Sequence, residues 1–177
     1  MPFNARKLIF IDESGANLAM CRNYARAIGG DRIKMPKPFN RGSNFSIIGA
    51  IGFDKIIAAL YGEWATDGEI FLTFINECLV PHLKPYHIVI LDNISFHKIR
   101  DVQKAIEATG AKVEYLPGYS PDFSPIENMW SKIKTILRKI SPRTSKQFKS
   151  AIAKSFKAIT KNDLKAWYEY CGYQSTN

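Results

Sequence analysis

The stretch Leu116–Lys134, LPGYSPDFSPIENMWSKIK, joins a segment rich in proline and glycine to a run with helical periodicity. Glu127 stands at the junction, after three prolines and one glycine. Local rules predict that Ser124 is the N-cap of a helix, with Pro125 at its first position and Glu127 completing a capping box. Beyond the junction the apolar residues follow one helical stripe, made of Ile126, Met129, Trp130, Ile133, Ile136, Leu137 and Ile140.

Around this stretch, short apolar runs alternate with helical segments, which is typical of an α/β domain. The pattern predicts strands at 7–12, 45–53, 55–64, 87–92 and 112–116. It predicts helices at 69–83, at about 97–109, after the proline-rich segment, and at 145–159 and 162–171. The chain has 177 residues, which suits one domain with a sizeable core. No apolar run is long enough to cross a membrane, so no membrane partner is expected.

Carboxylates occupy three prominent places in this pattern. Asp12 and Asp92 are predicted at the ends of two buried strands, and Glu127 is predicted in the first turn of a helix. A lone aspartate at a strand end most often caps a turn, but burying a carboxylate is costly unless it is paired, solvated or bound to a metal. Three acids in such positions indicate a site of hard oxygen ligands for magnesium or manganese.

The charge of the chain is strongly positive. Lys and Arg number 25 against 16 Asp and Glu, a net charge of +9, and the whole excess falls between Lys98 and Lys165. Such a segment indicates a polyanionic partner, although basic residues can also simply solvate helices. Few aromatic residues alternate with the cations, which favours duplex phosphates over stacked single strands. The candidate contacts are Lys98, Arg100, Lys132, Lys134, Arg138 and Lys139.

Three segments with characteristic spacing carry a resemblance to a known family. Asp92 and Glu127 are separated by 34 residues, and they lie in VILDNISFHK (89–98) and in the stretch 116–134. Together with FIDESG (10–15), these segments resemble the catalytic signatures of DDE transposases of the mariner-type superfamily, most closely the bacterial insertion-sequence 630 branch. The likeness extends to RAIGGDR (26–32), NRGSNFSIIGAI (40–51), FLTFINECLVPHL (71–83) and CGY (171–173).

The resemblance implies a fold and a set of site residues. The implied fold is RNase H-like, a mixed five-stranded sheet flanked by helices, with extra C-terminal helices. Asp12, Asp92 and Glu127 match the three catalytic, metal-binding acids. Glu13 is expected on the opposite face of the strand from Asp12. Asn93 and His97 are expected to shape the loop or contact DNA rather than bind metal, and Ser124 supports its motif as the N-cap of the helix.

The resemblance also implies a reaction. Two Mg²⁺ or Mn²⁺ ions held by the three acids would stabilise the attacking and leaving oxygens of phosphodiester cleavage. The implied function is cleavage of double-stranded DNA at transposon ends and transfer of the cut strand into target DNA. The implied assembly is a homodimer in the synaptic complex, and the implied location is the cytoplasm of a bacterium, in association with the nucleoid.

Two other functions stay open at this point. One is an RNase H-like nuclease that acts on structured nucleic acid, and the other is an inactive DNA-binding remnant or inhibitor of a full-length transposase. Members of the branch carry helix-turn-helix modules before the catalytic domain, whereas only eleven residues precede Asp12. We therefore expect residues 1–177 to form a single catalytic domain without that module. Such a chain fits a second reading frame, an isolated domain or a remnant.

Overall fold

Five strands form one mixed sheet. The computed structural model describes residues 4–22, 24, 29, 34, 36, 38–92, 100–118 and 120–175. The order across the sheet is β3-β2-β1-β4-β5; β2 is antiparallel to both β1 and β3, and β4 and β5 run parallel to β1. The predicted mixed five-stranded sheet is confirmed. The strands are β1 (Leu8–Asn17), β2 (Asn44–Ile51), β3 (Ile56–Gly62), β4 (Ile88–Leu91) and β5 (Lys112–Tyr115).

Helices cover both faces of the sheet. The first begins as α1 (Gly68–Thr73) and continues as a π-helical turn, Phe74–Leu79, and a 3₁₀ turn, Val80–His82. The start predicted for the second helix near residue 97 lies outside the described residues. None of the described helices is both long enough and apolar enough to cross a membrane. The remaining helices are α2 (Arg100–Glu107), α3 (Pro125–Ile140), α4 (Ser145–Lys157) and α5 (Lys161–Tyr170).

Strand β1 is longer than the sequence predicts, so Asp12 lies in mid-strand and not at a strand end. From Phe10 to Asn17, each residue of β1 is paired with a residue of β2. The segment ESGAN (13–17) has weak strand propensity, which explains the shorter prediction. Pairing along a whole neighbouring strand outweighs that local preference.

Each face of the sheet has its own hydrophobic core. Alternate residues of a strand point to opposite faces, so Phe10 packs toward α3, α4 and α5 while Ile9 and Ile11 pack toward α1 and α2. On the first face, helix α3 contributes most of the stripe predicted from the sequence. The buried members of that stripe are Ile126, Met129, Trp130, Ile133 and Leu137.

Two tyrosines near the C-terminus fix the last helix and the segment after it. The Tyr168 hydroxyl is buried within 3.1 Å of the Leu8 carbonyl oxygen and 3.0 Å of the Ile51 carbonyl oxygen. The Tyr173 hydroxyl donates to the carbonyl oxygen of Phe123 over 2.8 Å. Burial raises the pKa of Tyr173 to about 12, so this hydroxyl keeps its proton at neutral pH. These bonds tie the chain terminus to the sheet and to the turn that precedes α3.

Candidate active site

A pocket of about 480 Å³ opens where β1, the end of β4 and the start of α3 meet. Asp12, Asp92 and Glu127 all line it. Asp12 is in the middle of β1, Asp92 directly follows β4, and Glu127 is in the first turn of α3. The fold therefore brings the three predicted acids to one cavity. The other lining residues are Ile11, Leu116, Pro117, Gly118, Ser120, Pro121 and Ser124.

The proline-rich segment before α3 forms one wall of this pocket. It begins as a continuation of the sheet, because the Leu116 amide donates to the Leu91 carbonyl oxygen over 2.9 Å. It then makes a 3₁₀ turn at Pro121–Phe123, which Tyr173 holds from the other side. Helix α3 begins two residues after that turn, and this geometry fixes where Glu127 enters the pocket.

The predicted capping box is wrong, although Ser124 is the N-cap and Pro125 the first residue of α3. The Ser124 side chain makes no capping hydrogen bond. A capping box also needs the Ser124 amide as a donor to Glu127, but that amide donates to the Pro121 carbonyl oxygen over 2.9 Å. Since the 3₁₀ turn uses the donor, the Glu127 side chain lines the pocket instead.

Trp130 of α3 holds Asp12 through a hydrogen bond. Its indole nitrogen Nε1 donates to Oδ2 of Asp12 over 2.8 Å, and the ring is 2% exposed. Gly49 pairs with Asp12 in the sheet, and a Cβ there would lie 2.7 Å from Cη2 of Trp130. The absence of a side chain at Gly49 thus makes room for the indole against the sheet. Sequence reasoning counted Trp130 only in the apolar stripe, but a buried indole N–H needs a partner, and that was the available signal.

Burial and nearby negative charge both disfavour the ionised form of Asp12. Burial raises the pKa of Asp12 to about 7, and the negative charges of Glu13 and Glu127 act in the same direction. Hydrogen bonds from the Glu13 backbone and from Trp130 oppose this rise. No lysine or arginine among the described residues lines the pocket.

The donor chemistry of the pocket fits a hard divalent cation. Carboxylate oxygens are the ligands that Mg²⁺ takes in proteins, and a cation relieves the repulsion between Asp12 and Glu127. As placed, no three His, Cys, Asp or Glu side chains within the described ranges converge closely enough to form a ready metal cluster.

The structure describes two of the four residues that support the motifs, Glu13 and Ser124. Glu13 lies on the sheet face opposite to Asp12, as predicted, because it shares the alternation of Ile9 and Ile11. Ser124 lines the pocket. Asn93 and His97 fall outside the described residues, and so does the predicted DNA contact Lys98.

A basic groove begins beyond the acids, between α3 and the residues around the end of β1. This cavity of about 370 Å³ is lined by Arg41, Lys134 and Arg138. Lys134 and Arg138 follow Glu127 by seven and eleven residues, which places them on the same side of α3. Arg143 holds the segment after β1, because its Nη1 donates to the carbonyl oxygen of Leu18 over 2.6 Å. We call the cavity lined by Arg41, Lys134 and Arg138 the α3 groove.

The other predicted cations of this region lie outside the groove. Lys132 donates to Oδ2 of Asp163 over 2.6 Å and so links α3 to α5. Lys139 is exposed near the end of α3, and Arg100 is exposed at the start of α2. The basic segment predicted as one surface is thus divided between a groove, an interhelical ion pair and separate exposed positions.

Several solved structures have the same fold. A pre-cleavage Mos1 transpososome superimposes with a TM-score of 0.75 at 13% identity, over 97% of this chain and 57% of that chain. The catalytic domain of Mos1 mariner transposase gives 0.69 at 13% identity, over 94% and 77%. A Mos1 mariner paired-end complex with Mn gives 0.75 at 15% identity, over 94% and 52%. The chain spans little more than half of the Mos1 chains in the two complexes, and the RNase H-like fold is confirmed.

The sequence comparisons address the family. No curated protein sequence matches the chain. The model of the DDE superfamily endonuclease matches residues 7–149, which contain all three acids of the pocket. The resemblance noted from the sequence motifs is therefore confirmed at this level, and the chain belongs to the DDE superfamily of endonucleases.

Proposed function

We propose that this chain is the catalytic domain of a DNA transposase that cleaves DNA at transposon ends and joins the cut strand to target DNA. The observation that carries the proposal is the shared pocket of Asp12, Asp92 and Glu127. Similar folds support it, since they include a Mos1 strand transfer complex and a paired-end complex with the left transposon end. The insertion-sequence 630 branch stays our narrower proposal for the subfamily.

The proposed cofactors are two Mg²⁺ or Mn²⁺ ions held by the three acids. Mos1 mariner paired-end complexes with Mn and with Mg support the use of divalent metal. Bound there, such ions would activate a water or a DNA 3′-hydroxyl and stabilise the leaving oxygen. The chain itself supplies the positions of the ligands: β1 and Trp130 fix Asp12, β4 ends at Asp92, and the 3₁₀ turn fixes Glu127.

The proposed DNA path runs from the acids into the α3 groove. With a rise of about 1.5 Å per helical residue, Lys134 and Arg138 lie about 10 and about 16 Å from Glu127 along the helix. A duplex strand advances about 3.4 Å per nucleotide, so these cations suit phosphates about three to five nucleotides from the cleaved bond. Arg41 also lines the groove, and we propose it as a further contact. Lys98, Arg100, Lys132 and Lys139 remain proposed contacts, and for Lys132 binding DNA would compete with its pairing to Asp163.

The proposed partners are transposon-end DNA, target DNA and a second copy of the protein in a synaptic homodimer. The proposed location is the bacterial cytoplasm, in association with the nucleoid. These proposals rest on the resemblance and on the DNA complexes of similar folds.

The decisive experiment removes one acid without changing its shape. We expect Asp92→Asn to abolish Mg²⁺- or Mn²⁺-dependent nicking of duplex DNA, measured on a supercoiled plasmid. Asp122→Asn is the matched control, since Asp122 is exposed in the proline-rich segment and does not line the pocket. Far-ultraviolet circular dichroism and a melting curve report whether each variant is folded.

Two results would contradict the proposal. One is nicking at the wild-type rate by a folded Asp92→Asn variant. The other is a wild-type protein that cuts RNA–DNA hybrids in preference to duplex DNA, which would replace the transposase with an RNase H-like nuclease.

A further inference from the structure

The segment CGY (171–173) follows α5 and lies beyond residue 149, where the match to the DDE superfamily model ends. Its backbone makes a tight turn, in which the Gly172 amide donates to the Glu169 carbonyl oxygen over 3.0 Å. Gly172 has a φ of +87°, a conformation that residues with a side chain rarely adopt. The Tyr173 amide then donates to the Tyr168 carbonyl oxygen over 2.9 Å. The turn therefore fixes the position from which the Tyr173 side chain extends.

This side chain contacts two elements that carry acids of the pocket. The ring centre of Tyr173 lies 5.1 Å from that of Phe10, which precedes Asp12 by two residues and so shares its face of β1. The Tyr173 hydroxyl donates to the Phe123 carbonyl oxygen over 2.8 Å. Phe123 ends the 3₁₀ turn before α3, and Glu127 follows it by four residues. One side chain thus links the strand of Asp12 to the turn that leads to Glu127.

The 3₁₀ turn has few other connections to the rest of the protein. Its backbone hydrogen bonds are local: the Phe123 amide donates to the Ser120 carbonyl oxygen over 3.2 Å, and the Ser124 amide donates to the Pro121 carbonyl oxygen over 2.9 Å. Between described residues, the bond from Tyr173 is the one hydrogen bond that joins residues 120–124 to a distant part of the chain. The position of the turn against the sheet therefore depends on that hydroxyl.

We propose that Tyr173 is a positioning residue for the acid pocket, whose hydroxyl holds the turn before α3 so that Glu127 enters the same cavity as Asp12. The inference rests on the proposed function, because it takes these acids as metal ligands. Tyr173 is not among the residues that line the pocket, so it acts through the turn and not on the reacting atoms. Without the hydroxyl, the Phe123 carbonyl loses its distant partner and the start of α3 is free to shift relative to β1.

The first test is made without metal, on Tyr173→Phe, which keeps the ring and removes only the hydroxyl. Hydrogen exchange is measured at the amides of Ser124 and Glu127, which donate within the turn and the first turn of α3. We expect exchange there to be faster by about 2–10-fold, the range for loss of one hydrogen bond, while the amides of β2 keep their wild-type rates. Tyr170→Phe is the matched control, because Tyr170 is 81% exposed and its hydroxyl has no described hydrogen-bond partner.

The second test measures the pocket itself. We expect Tyr173→Phe to bind Mn²⁺ about 10–100-fold more weakly, as is typical when a group that orients metal ligands is lost. In DNA cleavage, kcat should fall while KM for the duplex stays unchanged, since the cations of the α3 groove are untouched. Gly172→Ala should give the same pattern although it keeps the hydroxyl. Its Cβ meets nothing within 4 Å, so it acts only by straining the turn that places Tyr173.

The outcomes separate this inference from the proposed function. Wild-type exchange at Ser124 and Glu127 together with wild-type Mn²⁺ affinity in Tyr173→Phe would overturn the inference, and DNA cleavage by the wild type would still support a transposase. Exchange that rises equally in β2, with unchanged Mn²⁺ affinity, would show a purely structural role and also overturn it. Faster local exchange and weaker Mn²⁺ binding, in a protein whose wild type cuts no DNA, would support the inference and contradict the transposase proposal. If Tyr173→Phe does not fold, the same readouts on Gly172→Ala decide the question.

Discussion

The indole N–H of Trp130 donates to Oδ2 of Asp12 over 2.8 Å, and so connects α3 directly to the central strand of the sheet. Trp130 follows Glu127 by three residues, and residues at this spacing lie on the same side of a helix. One turn of α3 therefore both supplies one acid of the pocket and holds another. Because the same turn sets both carboxylates, a shift of α3 would displace both relative to Asp92.

Trp130→Phe should separate the hydrogen bond from the packing. The ring of phenylalanine keeps much of the apolar contact, but it cannot donate to Asp12. Groups that orient metal ligands typically change metal affinity or activity by about 10–100-fold, so we expect a loss of that size in Mn²⁺ affinity, measured by electron paramagnetic resonance. Met129→Leu is the control, since Met129 is equally buried on the same stripe. Equal Mn²⁺ affinity in wild type and a folded Trp130→Phe variant would show that the bond has no positioning role.

Gly49→Ala should disturb the same arrangement from the sheet side. The added Cβ would lie 2.7 Å from Cη2 of Trp130 and 3.1 Å from Cε of Met129, closer than atoms can approach without movement. Overpacking of this kind costs about 1–3 kcal/mol of unfolding free energy, and we also expect reduced DNA cleavage. Gly15→Ala is the matched control on β1, where a Cβ meets nothing within 4 Å. Urea unfolding compares the two, and equal stability of both variants would contradict the close packing described.

Asp12→Asn should stabilise the metal-free protein, and the gain should depend on pH. The folded pKa of Asp12, about 7, lies above its ordinary value of 3.8. The stability linked to its proton is therefore complete below about pH 4 and is lost as the pH rises through 7. At pH 8 in a metal chelator, the free energy of unfolding of the variant should exceed that of the wild type by at most on the order of 4 kcal/mol, which a higher melting temperature would report. The difference should shrink toward pH 4.

Added Mg²⁺ should reverse this order at pH 8, because a bound ion stabilises the wild type more than the variant. Asp122→Asn should show neither effect, since Asp122 is exposed outside the pocket. The difference in unfolding free energy between wild type and Asp12→Asn, measured in chelator, should differ between pH 4 and pH 8. An equal difference at both pH values would contradict the raised pKa of Asp12.

The features that the sequence predicted are those with a local or periodic signal. The buried strands are short apolar runs, and the stripe of α3 has helical spacing, so the layers of the fold follow from pattern alone. The clustering of Asp12, Asp92 and Glu127 was predicted from motif resemblance and from two expected strand ends, although Asp12 proves to lie in mid-strand. The capping box was wrongly predicted because the Ser124 amide can donate either to Glu127 or within a 3₁₀ turn. In the structure it donates to the Pro121 carbonyl oxygen.

The features that the sequence did not predict join residues that are far apart. Trp130 and Asp12 are separated by 118 positions, and no periodicity connects them. Arg41 is brought to the α3 groove only by the folded chain, since it lies 93 positions before Lys134. The distribution of charge along the sequence therefore indicated a basic C-terminal half of the chain. It could not predict which cations share one surface of the folded protein.

The α3 groove makes a prediction about salt. If Lys134 and Arg138 contact phosphates of the cleaved duplex, then Lys134→Glu/Arg138→Glu should lower the log–log salt slope of DNA binding by about 1.8, at about 0.9 for each phosphate. Binding of a short duplex to the metal-free protein, measured by fluorescence anisotropy at several salt concentrations, gives the slope. The control Lys146→Glu/Lys149→Glu makes the same change of charge on exposed positions of α4. A charge effect spread over the whole surface would lower the slope equally in both variants, whereas a DNA path along the groove lowers it in the groove variant alone.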